Sequence, residues 1–537
     1  MHCHIAFFLI ILLSISSFTV QSESTIKNWL IGGLQTAITT QTFQMNGSIK
    51  INGECTCETI TAVIQSGTLY IPIDGLYDLP VFPDPTPFTT SCNDGYFSLT
   101  ISHPYLGPYI FLIKLSDGRS TTIDISVKMP LPQTTFNFVV SSNIESGSDS
   151  HLLDRFAEDT NANFIMILGN IHTTSTNTDN ENEYLKNYRK NLFNNNKMKK
   201  MLQSKQLIYT FNDKDFAGGD KSNADSKGVE AINSAYRKIF PNYIEDTQHK
   251  GIYQSFNMAG VKFIMTDSRT FMDIDNGHLF GEEQTQWLKT QFSSALIDPM
   301  VDAIVITFTQ PWNYIENKYD IDIIKQKYES LSKDVDKEKS IFFEALKEYQ
   351  ETNGKPFNFY FPFRAKISSA LGDPALVEVY KPILLLIGEH HLAFDTGKYN
   401  NYGGFPMAVA GPIDESRQCR GGPYTHGSFH DSKHQYLNIT YFKSDELSKG
   451  LPCFQIMGII ASKNSKEDQT VFAYLTCQPD MFQGRVNKKC PMDWKEKLIH
   501  SAITLFVMIL VPFLFFFVLY WVAENNLKFN YVKVKEV

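Results

Sequence analysis

The sequence has no surplus of basic residues, because 49 Lys and Arg face 57 Asp and Glu, giving a formal charge of −8. Proteins that bind nucleic-acid phosphates use clustered Lys and Arg, so the charge balance argues against a dedicated nucleic-acid binder. No Cys-x-x-Cys pair occurs, which argues against a zinc ribbon. With 43% hydrophobic and 13% aromatic residues, the chain has ample apolar material for packed cores, which excludes a disordered or collagenous chain.

Charge is also missing from the N-terminus, where no Lys, Arg, Asp or Glu occurs before residue 23. An apolar run, Ile5–Leu13, is followed by a polar stretch that ends at the small Ser22. This pattern predicts a cleaved signal peptide over residues 1–22, although the usual basic residue before the run is lacking. Two sequons, at Asn46 and Asn438, agree with export and predict glycosylation.

A second uncharged segment, Ala502–Val522, lies near the C-terminus and is rich in Phe and Leu. As a helix it would span about 30 Å, the thickness of the hydrocarbon core of a bilayer. Pro512 in its middle is tolerated in membrane helices. We therefore predict a type I membrane protein, with a membrane-proximal segment at 481–497, a transmembrane helix at 498–523 and a cytoplasmic tail at 524–537. The ectodomain would be extracellular or in a secretory or lysosomal lumen.

Seven of the eight cysteines fall in the predicted ectodomain, an oxidising environment in which disulfides persist. Cys92 is expected to bond to Cys55 or Cys57, and the sequence leaves both choices open. Adjacency in the C-terminal strands suggests the pairs Cys419–Cys453 and Cys477–Cys490. An odd number of cysteines also predicts one free thiol.

The first part of the ectodomain, residues 23–133, consists of short alternating runs separated by turn residues. Examples are Thr59–Gln65 and Thr121–Lys128. Period-two alternation with regularly spaced turn signals is typical of an antiparallel β-sandwich. We therefore predict an all-β sandwich domain that ends at residue 133.

The second part, residues 134–480, has a different sequence pattern. Short apolar runs recur with helical segments such as Glu282–Ala295 and Ile321–Glu351 between several of them. The runs are Phe136–Val140, Phe164–Leu168, Gln206–Phe211, Val261–Met265, Ala303–Phe308 and Ile383–Ile387. Buried strands with helical crossovers predict a layered α/β domain, and its ligands are expected at the carboxyl ends of the strands.

Polar side chains follow most of these predicted strands. They lie at Ser142-Asn143, Gly169-Asn170, Asn212–Asp215, Thr309-Gln310 and Gly388–His391. Carboxylate, amide and imidazole groups that converge at one sheet edge are the donors of a hard or borderline divalent-metal site. Two such metals can clamp the attacking and leaving oxygens of a phosphoryl displacement.

The order of several motifs resembles the PhoD-like (alkaline-phosphatase-D-like) metallophosphoesterases. The matching segments are Tyr188-Arg189, Leu207–Phe216, Gly251–Phe256, Phe263–Arg269, Leu279–Leu288 and Leu385–His391. The resemblance covers roughly residues 28–477. It implies a β-sandwich followed by a four-layered α/β/β/α domain that hydrolyses phosphomonoesters or phosphodiesters with divalent metal ions.

The resemblance also implies roles for individual residues. The metal-ligand positions fall on Asn143, Asn170, Asp213, Glu389 and His391. The catalytic positions fall on Lys214 and Asp215. Arg269 is expected to pair with Asp267 beneath the site or, alternatively, to contact the substrate phosphate.

The chain departs from the family pattern at charged positions. Asn170 stands where the family has a bridging Asp, Lys214 where it has a His, Ser142 where it has a Cys, and Glu389 where it has an Asp. An Asn brings no negative charge, so fewer anions remain to hold two dications. Lysine is a poor general acid at neutral pH, but its ammonium can supply a missing positive charge. We expect one divalent ion or none, with Ca, Fe, Mn and Zn all left open.

Two hypotheses follow. The first is an ectoenzyme that hydrolyses phosphoesters with water activated on a metal held by Asp213, Glu389 and His391. The second is a catalytically dead relative that uses the cleft or the sandwich as a binding surface. The partner would be a small phosphoester in the first case and an unknown extracellular ligand in the second.

Overall fold

In a computed structural model, the structure describes the following residues: 26–38, 45–55, 59–71, 75–78, 88–105, 109–116, 122–129, 135–159, 161–217, 226–243, 250–273, 279–309, 381–396, 405–415, 424–426, 428–429, 433–443, 450–462, 468–478, 483–484, 506, 508 and 510–525. Several predictions fall outside these ranges. They are the signal peptide, the helix Ile321–Glu351, and the states of Cys57, Cys419 and Cys490. The chain divides into two compact units, Met1–Lys488 and Lys489–Val537.

The first unit is a mixed α/β structure. Its strands are β1 (Ile26–Ile38), β2 (Met45–Cys55), β3 (Thr59–Ile71), β4 (Gly75–Asp78), β5 (Phe88–Ser91), β6 (Tyr96–Tyr105), β7 (Tyr109–Ser116), β8 (Thr122–Met129), β9 (Phe136–Ser141), β10 (Ala162–Leu168), β11 (Gln206–Thr210), β12 (Gln254–Met258), β13 (Val261–Met265), β14 (Ala303–Phe308), β15 (Ile383–Gly388), β16 (Leu392–Asp395), β17 (Met407–Ala410), β18 (Ser428–Phe429), β19 (Gln435–Lys443), β20 (Pro452–Ile460), β21 (Gln469–Leu475) and β22 (Gln483–Gly484). Its helices are α1 (His151–Glu158), α2 (Glu181–Tyr188), a π-helix (Arg189–Phe193), α3 (Asn196–Ser204), α4 (Asp213–Phe216), α5 (Val229–Ile239) and α6 (Gly281–Ile297).

Two large sheets carry the site. The first has the order β22-β21-β20-β19-β9-β10-β11-β1-β2-β6, and the second has the order β12-β13-β14-β15-β17-β16-β18. Strands β9, β10 and β11 are parallel to one another, as are β13, β14, β15 and β17. Their apolar sequences match their burial on both faces. Parallel pairing brings the polar residues that follow these strands to a common edge of each sheet.

The largest core lies between the two sheets. Its aromatic rings cross the interface: Phe138 stacks on Phe164 of the same sheet at 4.8 Å and meets Phe263 of the other sheet edge-on at 5.7 Å. A second core joins the opposite face of the first sheet to α1, α2, α3 and α5. A third joins the opposite face of the second sheet to α6. The described elements are therefore layered as helices, sheet, sheet and helix.

Some N-terminal strands share a sheet with strands that follow the predicted boundary at residue 133. Strand β1 pairs in parallel with β11 through Ile31 and Gln206, so β1, β2 and β6 extend the first sheet. Strands β3, β4, β5, β7 and β8 form a separate antiparallel sheet. Arg189 of the π-helix also donates to Glu54 Oε1 at 2.7 Å and to Tyr96 Oη at 3.0 Å. The sheet thus crosses residue 133, and the boundary there stays a prediction.

Two disulfides are formed among the described residues, Cys55–Cys92 and Cys453–Cys477. The first settles the open choice for Cys92. The second shows that the predicted pairs Cys419–Cys453 and Cys477–Cys490 are wrong. The reason is register: β20 and β21 are antiparallel with Gln455 opposite Leu475, so residues 453 and 477 lie opposite each other just beyond that pair. Proximity of strands in the sequence alone did not reveal this register.

The second unit contains residues 510–525, which are helical and carry exposed apolar side chains such as Phe513 and Trp521. A search of the described residues finds no helix with both the length and the apolar character needed to cross a membrane. The predicted helix at 498–523 falls only partly on those residues and stays a prediction.

Candidate functional site

The carboxyl ends of β9, β10, β11, β15 and β17 meet where the two sheets touch. Ser142 Oγ donates to the carbonyl of Glu389 at 2.7 Å, which ties the end of β9 to the loop after β15. Gly388 packs so closely against β10 that a Cβ would lie 1.7 Å from the carbonyl oxygen of Leu168. Only glycine fits there, because any side chain would push the sheets apart. These two contacts bring the loops after β9 and β15 together with the end of β10, as the sequence predicts.

Asn170 lies at the centre of the converged loops and is fully buried. Its Nδ2 donates to Asn143 Oδ1 and to Asp213 Oδ1, each at 2.9 Å, and its Oδ1 accepts from the backbone N–H of Lys214 at 3.0 Å. The orientation of the amide follows from this contact, since a backbone N–H can only donate. The amide thereby ties together three groups that the sequence assigned to metal binding or catalysis.

Both asparagines adopt unusual backbone conformations. The φ angle is +49° at Asn143 and +29° at Asn170, in a region that Asn tolerates better than most residues. The Asn143 N–H donates to Gly169 O at 3.2 Å, and the Ile144 N–H donates to Asn170 O at 2.7 Å. The two strand ends are therefore joined by backbone bonds that hold the side-chain amides in place.

Lys214 lies in α4, and its ammonium forms an ion pair with Glu415 Oε1. The lysine side chain is 28% exposed, whereas Glu415 is buried. Glu415 follows β17 and donates its backbone N–H to Asn143 O at 3.4 Å, which places it beside the asparagine cluster. Sequence reasoning missed Glu415. The available signal was its position in Gly411-Pro-Ile-Asp-Glu415, the loop after a buried strand at the same sheet edge.

The family resemblance predicts a catalytic role for Asp215, and its carboxylate contacts the backbone of two loops. It is fully buried and accepts from the backbone N–H groups of Asn212 and His172, both at 3.2 Å. Its carboxylate therefore fastens the loop after β10 to the loop after β11. Burial raises the pKa of Asp215 to about 7, against the opposing effect of these hydrogen bonds.

His172 is a second buried residue that sequence reasoning missed. Its Nδ1 lies 3.9 Å from Asp215 Oδ1, and its ring is 5.5 Å from that of Tyr188. Desolvation lowers the pKa of His172 to about 4, so the imidazole is neutral near pH 7. Burial also raises the pKa of both Tyr188 and Tyr209. His172, Tyr188 and Tyr209 are therefore uncharged near pH 7.

Arg269 was expected to pair with Asp267 or to contact a substrate. Within the described part of the chain its guanidinium forms no ion pair; Nε and Nη2 donate to Asn212 Oδ1 at 2.9 and 2.6 Å. Asp267 instead accepts from three backbone N–H groups, those of Ile252, Arg269 and Thr270. The predicted side-chain ion pair is therefore wrong, because the carboxylate serves the backbone. Substrate contact by Arg269, which is buried, stays a prediction.

Glu389 and His391, the remaining predicted ligands, are buried after β15, and the His391 ring is 5.7 Å from that of Tyr424. Across the residues that the structure describes, no group of three or more His, Cys, Asp or Glu side chains is arranged to hold a metal ion. Asp213, Glu389 and His391 therefore do not form a ready three-ligand site. The donor types still suit a divalent ion, but the central position between Asn143 and Asp213 is filled by an amide.

Comparison with known proteins supports the fold. No protein-family model matches the sequence, and no curated protein matches it either. The solved structure of PhoD aligns with 91% of this chain and 99% of its own, at a TM-score of 0.55 and 12% identity. A purple acid phosphatase from yellow lupin seeds aligns with 86% of this chain and 77% of its own, at a TM-score of 0.47 and 10% identity. The chain has a PhoD-like metallophosphoesterase fold, as the motifs predicted.

Proposed function

We propose that this chain is a catalytically impaired PhoD-like phosphoesterase, whose ectodomain uses the region of the strand-end loops as a binding surface and whose C-terminal helix anchors it in a membrane. The observation that carries the proposal is the hydrogen bonding of Asn170. Its amide occupies the position between Asn143 and Asp213 and satisfies an oxygen of each. A bridging carboxylate at that position would need a cation to be stable, whereas the amide needs none.

The contacts of Lys214 and Asp215, the two predicted catalytic residues, support the same proposal. Lys214 stands where the family has a His. Its ammonium is held in an ion pair with Glu415. Asp215 is buried and bound to two backbone groups. Neither side chain is arranged as a mobile proton donor for a leaving alkoxide. A slow or absent hydrolytic reaction is therefore expected.

A second candidate function is slow phosphoester hydrolysis on a single metal ion. The retention of Asp213, Glu389 and His391 at the carboxyl ends of strands favours it. If a divalent ion binds there, it would supply Lewis-acid activation of water. The chain itself would contribute the strand-end loops that keep these three side chains buried.

The test uses the full chain, purified in detergent, with metal content measured by mass spectrometry and hydrolysis followed on an aryl phosphate. An aryl leaving group needs little protonation, so residual activity is easiest to detect with it. We expect at most one divalent ion per chain and slow or undetectable turnover. The paired change Asn170→Asp with Lys214→His should raise metal content and rate together, and His391→Ala should abolish any native rate. Two bound metals with rapid turnover that survives His391→Ala would overturn the proposal.

The membrane anchor and the export route are part of the proposal. They rest on the uncharged segments at 1–22 and 502–522 and on the two disulfides among the described residues, which suit an oxidising compartment. The ligand class favoured by the fold is a phosphoester. Its binding without turnover would separate the binding function from the slow hydrolysis of the second candidate.

A further inference from the structure

Glu415 is buried beside the candidate site and is only 4% exposed. Its loop is held at several points: the Ser142 N–H donates to Gly411 O, and the Ile413 N–H donates back to Ser142 O at 2.9 Å. The Glu415 N–H then reaches Asn143 O. The carboxylate is therefore placed by the backbone of β9 and its following residues, and it has little freedom to move towards water.

A carboxylate in such a position needs positive charge nearby, because its desolvation is otherwise strongly unfavourable. Lys214 supplies that charge at Oε1. The other oxygen, Oε2, is buried and has no hydrogen-bond partner in the part of the chain that the structure describes. Glu415 thus has more acceptor capacity than Lys214 satisfies.

Oxygen atoms also lie beside the backbone of Lys214, in the asparagine cluster next to Glu415. The backbone N–H of Lys214 bonds to Asn170 Oδ1, and the same amide links Asn143 Oδ1 and Asp213 Oδ1. Carboxylate and amide oxygens in one place suit hard divalent cations, which take oxygen ligands. A lysine ammonium is a compact point charge with three donors, and here it meets Glu415 Oε1 with one positive charge where a divalent ion would bring two.

We propose that the ammonium of Lys214 is the resident cation of an oxygen-lined site whose principal ligand is Glu415, and that removing this ammonium opens the site to a divalent cation that prefers oxygen ligands. The inference rests on the proposed impairment of the two-metal centre, for which it gives the mechanism: a side chain of the protein occupies the place of an ion. It assigns Glu415 as a cation ligand, a role that the family motifs do not indicate.

The experiment compares four full-length variants in detergent: Lys214→Met, Glu415→Gln, the two combined, and Lys200→Met. Each is measured with and without millimolar Mn²⁺, by thermal unfolding and by titration followed by the electron paramagnetic resonance signal of free Mn²⁺. Methionine keeps the volume of the lysine stem without its charge. Lys200 is the matched control, because it also pairs with a glutamate, Glu158, but on an exposed helix surface.

We expect Lys214→Met to lower the unfolding temperature without Mn²⁺ and to regain it with Mn²⁺, because a ligand that binds only the folded state stabilises that state. Its affinity for Mn²⁺ should exceed that of the wild type by about tenfold or more, which is about 1.4 kcal/mol. The combined variant has neither charge, so it should fold without Mn²⁺ and gain nothing from it. Glu415→Gln and Lys200→Met should show no gain in Mn²⁺ affinity.

Three results would overturn the inference. The first is a Lys214→Met variant whose stability and Mn²⁺ affinity match the wild type. The second is a gain of Mn²⁺ affinity that persists when Glu415→Gln is added, since the ion would then bind elsewhere. The third is a Lys214→Met variant that stays unfolded with Mn²⁺ while the combined variant folds. Two metals bound to the wild-type chain would instead overturn the proposed function, so the two failures are distinguishable.

Discussion

Asn170 and Asp213 are joined by a hydrogen bond of 2.9 Å in which the buried amide donates to the carboxylate. The same amide nitrogen donates to Asn143, and the amide oxygen accepts from the backbone of Lys214. Both N–H groups of the Asn170 amide donate within the protein, and its oxygen accepts within the protein. Asn170, which the motifs place at a predicted metal-ligand position, is therefore a neutral connection among three loops.

Asn170→Asp is the direct test of that connection. The new carboxylate would face Asp213 Oδ1 and Asn143 Oδ1 without a hydrogen to donate, so two oxygens would repel it in a buried place. We expect a loss of about 2–4 kcal/mol in the free energy of unfolding in the presence of a chelator. Added Mn²⁺ or Ca²⁺ should restore part of it. Urea unfolding monitored by tryptophan fluorescence measures both effects.

The matched control is Asn161→Asp, which adds the same charge at an exposed position. It should change the free energy of unfolding by no more than about 0.5 kcal/mol, with no response to metal. An Asn170→Asp variant as stable as the wild type in chelator would show that Asn170 does not depend on its amide hydrogens.

The fold was predictable because its signals are local. Runs such as Phe164–Leu168 and Ile383–Ile387 are apolar throughout, as strands buried on both faces require. Motif order then identified the fold, and the position of polar residues after each strand identified the edge at which Asn143, Asn170 and Asp213 meet. These inferences need only the periodicity and order of residues, which a single sequence contains.

The contacts within the site were less predictable, because they depend on register and on distant loops. The guanidinium of Arg269 bonds to Asn212 rather than to Asp267, although Asp267 is only two residues away, because backbone N–H groups, including that of Arg269, use the Asp267 carboxylate. Glu415 reaches Lys214 across about two hundred residues. Cys477 meets Cys453 through the pairing of β20 with β21. No local pattern contains such information.

Asp267→Asn tests the backbone role of this carboxylate. Asp267 accepts from three N–H groups, and an amide would turn its NH₂ towards at least one of them. We expect a loss of about 2–4 kcal/mol in the free energy of unfolding, since a buried donor would be left without an acceptor. The exposed Asp179→Asn should change it by less than about 0.5 kcal/mol. Equal stability of the two variants would contradict the assigned role.

The disulfide Cys453–Cys477 makes a covalent prediction. Peptide mapping by mass spectrometry without reduction should recover these two cysteines in one linked pair, and Cys92 linked to Cys55. Replacing both Cys453 and Cys477 by Ser should lower the free energy of unfolding by about 3 kcal/mol, because the link closes a loop of moderate length. A peptide that joins Cys419 to Cys453 would contradict the strand register.

The membrane topology is tested in intact cells that express the chain with an epitope after Val537. If residues 1–22 and 498–523 act as a signal peptide and an anchor, an antibody should reach the epitope only after permeabilisation. Glycosidase treatment should shift the mobility of the protein if Asn46 carries a glycan. Asn438 is a poorer acceptor, because its Oδ1 already accepts from Asn137 Nδ2 at 2.6 Å within the first sheet. Labelling of the epitope in intact cells would reject the topology.

The buried pair of His172 and Asp215 makes opposing contributions to the pH dependence of stability. The pKa of Asp215 is raised from 3.8 to about 7, so between these values the folded state holds a proton that the unfolded state has lost, and stability falls as pH rises. The pKa of His172 is lowered from 6.5 to about 4, so in that interval the unfolded state holds the extra proton, and stability rises with pH. From about pH 4 to pH 6.5 the two contributions nearly cancel.

His172→Phe removes one contribution and leaves the other. Relative to the wild type, its free energy of unfolding should fall by about 1.4 kcal/mol for each pH unit between about pH 4.5 and pH 6.0, which is the contribution of one proton. Asp215→Asn is the reciprocal variant: its amide nitrogen cannot accept one of the two backbone N–H bonds, which lowers stability at every pH, but its free energy of unfolding should rise with pH relative to the wild type. Urea titrations across this interval measure both slopes. Because other titrating groups are common to all three proteins, parallel pH profiles would show that neither group has a shifted pKa in the folded chain.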